Sequence, residues 1–205
     1  MESTRTSSRD DLMREAERLF GTHGVEAVSL RDIVRAAGHK NESAVHYHFG
    51  SKSKLVDAVI AERLKHIEAR RVVMLGAIEA DRATTDVKRL MGAFVEPLAD
   101  EVLTAPGGED YIRFLAQAIT RPGFDIVEHI AKLGLRGMIG VTRHLRALNP
   151  RVPLELQKMR ERMAIIAVVT AIAGWVDRGR PIPPKRMLRE IIEIGAAIFA
   201  AREKA

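Results

Sequence analysis

The sequence predicts an all-α protein. Apolar residues recur at helical spacing along nearly the whole chain, alternating β-branched runs are scarce, and Gly and Pro clusters fall at intervals that suit helices. With 205 residues, 46% of them apolar, the chain can bury a sizeable core.

The first helix is expected from Ser8 to Gly21, with Leu12, Ala16, Leu19 and Phe20 on one stripe, and His23-Gly24 closing it. Ser29 and Asp32 have the spacing of a capping box ahead of Ile33, Val34 and Ala37, so a short second helix follows and stops at Gly38. A third short segment spans Asn41 to Phe49, which gives helix-turn-helix spacing. Gly50-Ser51 breaks the chain, and Ser51 is placed to cap a long helix from Lys52 to Ala80. Breaks at Ala105 to Gly108, Arg121 to Gly123, Leu148 to Pro150 and Gly179 to Pro184 delimit about five more helices, the last two near Leu154 to Asp177 and Lys185 to Ala201. The reading divides the chain into a head, residues 1–52, and a body, residues 53–205.

The net charge of +6 points to a polyanionic partner, but its distribution does not mark the head. Residues 1–60 hold nine Lys and Arg against nine Asp and Glu, whereas residues 121–205 hold sixteen against eight. A case for nucleic-acid binding therefore rests on local pattern. There is no cysteine, so neither a disulfide framework nor a thiolate metal site is available. No apolar run approaches the roughly 20 residues that cross a bilayer, and the polar stretch from Met1 to Asp10 reads as a flexible arm, so a cytoplasmic protein without membrane contact is expected.

Local pattern is specific. The ordered set Leu12, Ala16, Leu19-Phe20, Gly24, Ser29-Leu30, Asp32-Ile33, Ala37-Gly38 and Tyr47-His48-Phe49-Gly50-Ser51-Lys52 resembles the DNA-binding head of the tetracycline-repressor (TetR) family and covers about a quarter of the chain. The resemblance implies a three-helix head on a ligand-binding, dimerising helical body. It implies a homodimeric repressor that a small molecule releases from double-stranded operator DNA. A short helix with small and polar residues suits the major groove, where base edges can be told apart. By resemblance, Ser43, Ala44 and Tyr47 face base edges, and His46, His48 and Lys52 face phosphates. Ser29, Lys40 and Asn41 complete the expected DNA-contacting set. The turn from Gly38 to Ser43 is one residue longer than the common pattern, and the aromatic usually found two places before the second histidine is His46. Glu42 suits either a cap on the recognition helix or a cytosine contact. Arg5 and Arg9 suit either a DNA groove or solvent.

Other classes find less support. His46 and His48 are two apart and project from different sides of a helix, and His39 adds no ligand spacing, so neither a metal nor any other cofactor is expected. No phosphate loop, nucleophile elbow or paired acid marks an enzyme. A DNA-binding architectural dimer without ligand input is the main alternative, and a motif-less all-α enzyme is the weaker one.

Within the body, a pocket for a hydrophobic or aromatic effector is expected among Met74, Ile78, Met91, Phe94, Tyr111, Phe114, Gln117, Met138 and Trp175, which combine adaptable apolar walls with a few polar anchors. The last two helices present Met163, Ile166 and Thr170, then Leu188, Ile191, Gly195 and Ile198, as the expected dimer seam.

Overall fold

The computed structural model describes residues 3–39 and 43–201. Ten helices and no strand occur among the described residues: α1 (Ser3–His23), α2 (Leu30–Ala36), α3 (Ser43–His48), α4 (Lys52–Ala80), α5 (Val87–Thr104), α6 (Gly108–Ile119), α7 (Ile126–Leu133), α8 (Arg136–Ala147), α9 (Leu154–Asp177) and α10 (Pro184–Ala200).

Local chemistry sets most boundaries. Ser29 Oγ accepts from the Asp32 amide at 3.1 Å while Asp32 Oδ2 accepts from the Ser29 amide at 3.0 Å, so α2 opens on the expected capping box. It closes through Gly38, whose φ of +73° turns the chain so that the His39 amide reaches the Val34 carbonyl at 2.9 Å. Ser51 caps α4 through the Lys54 amide at 3.2 Å. At 29 residues α4 is roughly 44 Å long. Asp86 and Asp125 cap α5 and α7 in the same manner.

Two boundaries differ from expectation. Helix α1 is helical from Ser3, five residues before the expected start, so residues 3–10 of the segment read as an arm are wound into the helix. The stretch expected to be one helix between Phe124 and Ala147 is two, because Gly134 adopts φ +63° and ends α7 before α8 begins.

The described core is continuous from head to body. Leu12, Ala16 and Phe20 of α1 are buried with Ile33, Val34, Val45 and Phe49, and the same cluster extends through Leu55 and Ile60 of α4 to Tyr111 and Phe114 of α6. Helix α1 lies against α4 and α6, so the head is seated on the body as well as joined to it. No linker separates residue 52 from residue 53, since α4 runs unbroken through that point. A Cβ on Gly21 would lie 2.5 Å from the Asp110 carbonyl oxygen, so glycine there sets how closely α1 meets α6. Glycines 137 and 140 do the same for α8 on α4, where added carbons would meet Val72 and Leu75. No helix among the described residues is long and apolar enough to cross a membrane.

Candidate nucleic-acid interface and body cavity

The second helix and the turn after it hold α3 at the edge of the head. Val45 and Phe49 of that segment are buried, which fixes its inner face, and the outer face carries Tyr47, 71% exposed. The Tyr47 ring meets the His48 ring edge-on at 5.1 Å between centroids. His46 is exposed, with Nδ1 3.2 Å from the Gly50 carbonyl oxygen. Lys52 Nζ donates to the Glu26 carbonyl at 3.3 Å, across the head from α3. The Arg9 guanidinium sits 5.5 Å above the Phe49 ring, and Ser8 Oγ is 3.3 Å from His39 Nε2, so α1 braces the turn and the end of α3.

Among the expected DNA contacts, His46, Tyr47 and His48 thus stand together on or beside α3. Ser29 is exposed, but its hydroxyl donates to Asp32 Oδ2 at 2.5 Å, so its proton serves the cap. That hydrogen bond, with the one from the Ser29 amide, holds the Asp32 carboxyl below its ordinary range. Ser43 and Ala44 lie in the first turn of α3. Lys40, Asn41 and Glu42 fall outside the described residues. A grouping of three or more metal-ligating side chains is not found among the described residues.

Inside the body, α4 to α9 enclose an apolar cavity of about 520 Å³, mouth included. Leu64 and Ile67 of α4, Phe94 and Leu98 of α5, Leu115 and Ile119 of α6, Ile126 and Ile130 of α7, Met138 of α8 and Val168 and Val169 of α9 form its walls. It is a narrow slot. One wall position is charged: Arg71, 4% exposed.

Arg71 is held by the neighbouring helices. Pro97 inside α5 has no N–H, which leaves the Ala93 carbonyl without its helical donor, and Arg71 Nε donates there at 3.2 Å. Arg71 Nη2 donates to the Phe94 carbonyl at 3.3 Å and Nη1 to Glu68 Oε2 at 3.0 Å. The other Glu68 oxygen accepts from the Gly137 and Met138 amides at the start of α8. Burial pulls the Arg71 proton affinity down, against the attraction of Glu68 and Tyr111.

Of the nine side chains expected around a pocket, Phe94 and Met138 line this cavity. Met91, Tyr111 and Phe114 are core residues, fully or almost fully buried. Met74 and Ile78 face an open groove beside Lys88 and Glu96, and Gln117 Nε2 donates to the Gly21 carbonyl at 3.3 Å, beneath α1. Trp175 Nε1 donates to the Ile182 carbonyl at 2.9 Å, fixing the turn between α9 and α10. The expectation did not include Arg71, nor Arg63 and Glu17 at the head-body junction. Their signal was present: Arg63, Ile67 and Arg71 are spaced by four, which puts two arginines on the buried stripe of α4.

On the expected seam, Met163 is 52% exposed and Thr170 is exposed, with Ile166, Leu188 and Ile198 half-buried. Ile191 and Gly195 turn inward. A Cβ on Gly195 would collide with Met91 Cε, so this glycine lets α10 approach α5 within the chain. The outward large apolar positions are Leu154, Leu156, Met159 and Met163 of α9 and Ile194 of α10.

The family model for bacterial regulatory proteins of the tetR family matches residues 12–59. The HTH-type transcriptional repressor KstR2 of Mycolicibacterium smegmatis is 34% identical over 89 residues, 43% of this chain and 40% of that protein. The repressor AcnR of Corynebacterium efficiens is 38% identical over 56 residues, 27% of this chain and 29% of that one. The match therefore spans less than half the length of these relatives. Two solved structures are similar over almost the whole chain. A putative tetR-family regulator from Shewanella sp. PV-4 is 15% identical with a TM-score of 0.63, covering 94% of this chain and 95% of its own. PfmR from Thermus thermophilus is 20% identical with a TM-score of 0.55, covering 96% and 98%. At that identity they speak for the fold, while the head carries the sequence signature. Residues 12–59 thus carry the signature of bacterial regulatory proteins of the tetR family, and the all-helical fold of the described residues is similar to that of the two solved structures.

Proposed function

We propose that the chain is a homodimeric, sequence-specific DNA-binding repressor, and not an enzyme, that a small apolar effector held in the body releases from operator DNA. The observation that carries this reading is Tyr47. Its ring is 71% exposed on the outer face of the short helix that suits a major groove, where it is free to meet base edges. Tyr47, with Ser43 and Ala44, reads bases, and His46, His48 and Lys52, with Ser29, Lys40 and Asn41, set position on the phosphates. KstR2 and AcnR are named as repressors, which favours repression, and a repressor of this kind works in the cytoplasm.

The dimer holds two heads about 34 Å apart, at successive major grooves, through the outward faces of α9 and α10. Effector binding favours a state with a different separation. Tight binding alone changes nothing, since only a difference in affinity between the two states shifts them. The narrow slot supplies that difference: a ligand of more than a few atoms has to part helices that include α4, which begins in the head.

Selection of bound duplexes from a random library tests the reading. A palindromic motif is expected, and it is lost in a protein carrying both His46→Ala and Lys52→Ala. Failure to enrich any motif at moderate salt would remove the head from sequence reading.

A further inference from the structure

We propose that the effector is an apolar monoanion, a carboxylate carried on a hydrocarbon body, with the Arg71 guanidinium as its ion partner. This deepens the effector reading above and rests on it. A guanidinium has five N–H donors, and the bonds to Ala93, Phe94 and Glu68 engage three. Two remain on a cation that is 4% exposed in a wall otherwise made of Leu, Ile, Val, Phe and Met. The three engaged donors hold the guanidinium in the wall of the slot, so little side-chain freedom is left to lose when an anion binds there. The Glu68 carboxylate offsets the Arg71 charge, and the positive end of α8, whose first amides its second oxygen accepts, restores part of it. A neutral apolar ligand would fill the slot but leave those donors dry, whereas a carboxylate fills the slot and accepts from them.

The position also connects ligand to structure. Arg71 binds the Ala93 carbonyl freed at Pro97 and the neighbouring Phe94 carbonyl, and through Glu68 it reaches the start of α8. An anion drawing on the same guanidinium shifts the balance among α4, α5 and α8 where the slot is walled by all three.

Calorimetric titration of the full chain at neutral pH, with decanoate and with 1-decanol as probes, tests this without DNA. The wild type is expected to prefer decanoate by roughly ten- to a hundredfold. Arg71→Met loses the preference, Arg71→Lys keeps a smaller one, and Val168→Phe, which fills the slot, loses both ligands. Equal affinity for the two probes in the wild type, a preference retained in Arg71→Met, or no binding of either probe at millimolar concentration overturns the proposal. Should Arg71→Met fail to fold, the wild-type preference and its reduction in Arg71→Lys decide the matter. A protein that binds decanoate as expected but enriches no DNA motif would leave the carboxylate site standing and sink the repressor reading instead.

Discussion

Arg63 of α4 grips Glu17 of α1 through two nitrogens, Nε to Oε2 at 2.8 Å and Nη2 to Oε1 at 2.5 Å. The same guanidinium bonds Glu101 Oε1 of α5 at 2.8 Å and the Pro106 carbonyl at 2.7 Å, and lies 5.7 Å from the centre of the Tyr111 ring. One cation thus ties the first helix of the head to the body. Gly107, with φ +74°, is required beside it, since a Cβ there would lie 2.9 Å from Arg63 Nη2. Burial raises the Glu17 carboxyl above its ordinary 4.5 even against the pull of Arg63, while the two carboxylates hold the Arg63 proton more firmly than usual.

Removing the cation leaves buried acids without a partner. Arg63→Met is therefore expected to cost about 3 kcal/mol in urea unfolding at neutral pH. A carboxyl whose folded value lies above its unfolded one favours the fold most below the unfolded value, and that contribution is lost as pH rises through the folded value. Without Arg63 the Glu17 shift grows, so the variant recovers part of its stability at mildly acidic pH. A deficit that is equal at neutral and mildly acidic pH would show that Glu17 is not the burdened group.

Gly21→Ala should separate head from body. The added methyl would meet the backbone of Asp110 at 2.5 Å, where no side chain can swing aside, so a loss of about 1–3 kcal/mol is expected in thermal or urea unfolding. Gly195→Ala is the contrast: its obstacle is the flexible end of Met91, which can move, and the cost should be smaller.

Tyr47→Ala is expected to flatten the preference among operator variants, and Lys52→Ala to weaken all of them while reducing the salt slope of binding by about one. Binding isotherms at several salt concentrations separate the two. Equal loss on every sequence for Tyr47→Ala would count against base reading by that ring.

For assembly, Met163→Glu should give a folded monomer by sedimentation velocity, because its side chain is outward on α9. Ile191→Glu should instead unfold the chain, because Ile191 is 8% exposed in a single copy. A dimeric, stable Met163→Glu protein would move the interface off this face.

Helix type, the caps of α2 and α4 and the head were legible in sequence because they are set by neighbours within a few residues: the Ser29-Asp32 box, the Ser51 cap and the apolar stripe of α1 need no distant partner. The family resemblance was legible for the same reason, being concentrated in contiguous residues. The body was harder to read. Whether Gly195 faces a second copy or Met91, and whether Tyr111 lines a cavity or fills the core, depends on how helices far apart in the chain rotate against one another. Periodicity gives a helix its buried stripe but does not name what covers it. Nor does it reveal that Arg63 and Arg71 lie on that stripe because Glu17 and the Ala93 carbonyl freed at Pro97 await them, since each partner belongs to another helix and only packing brings them together.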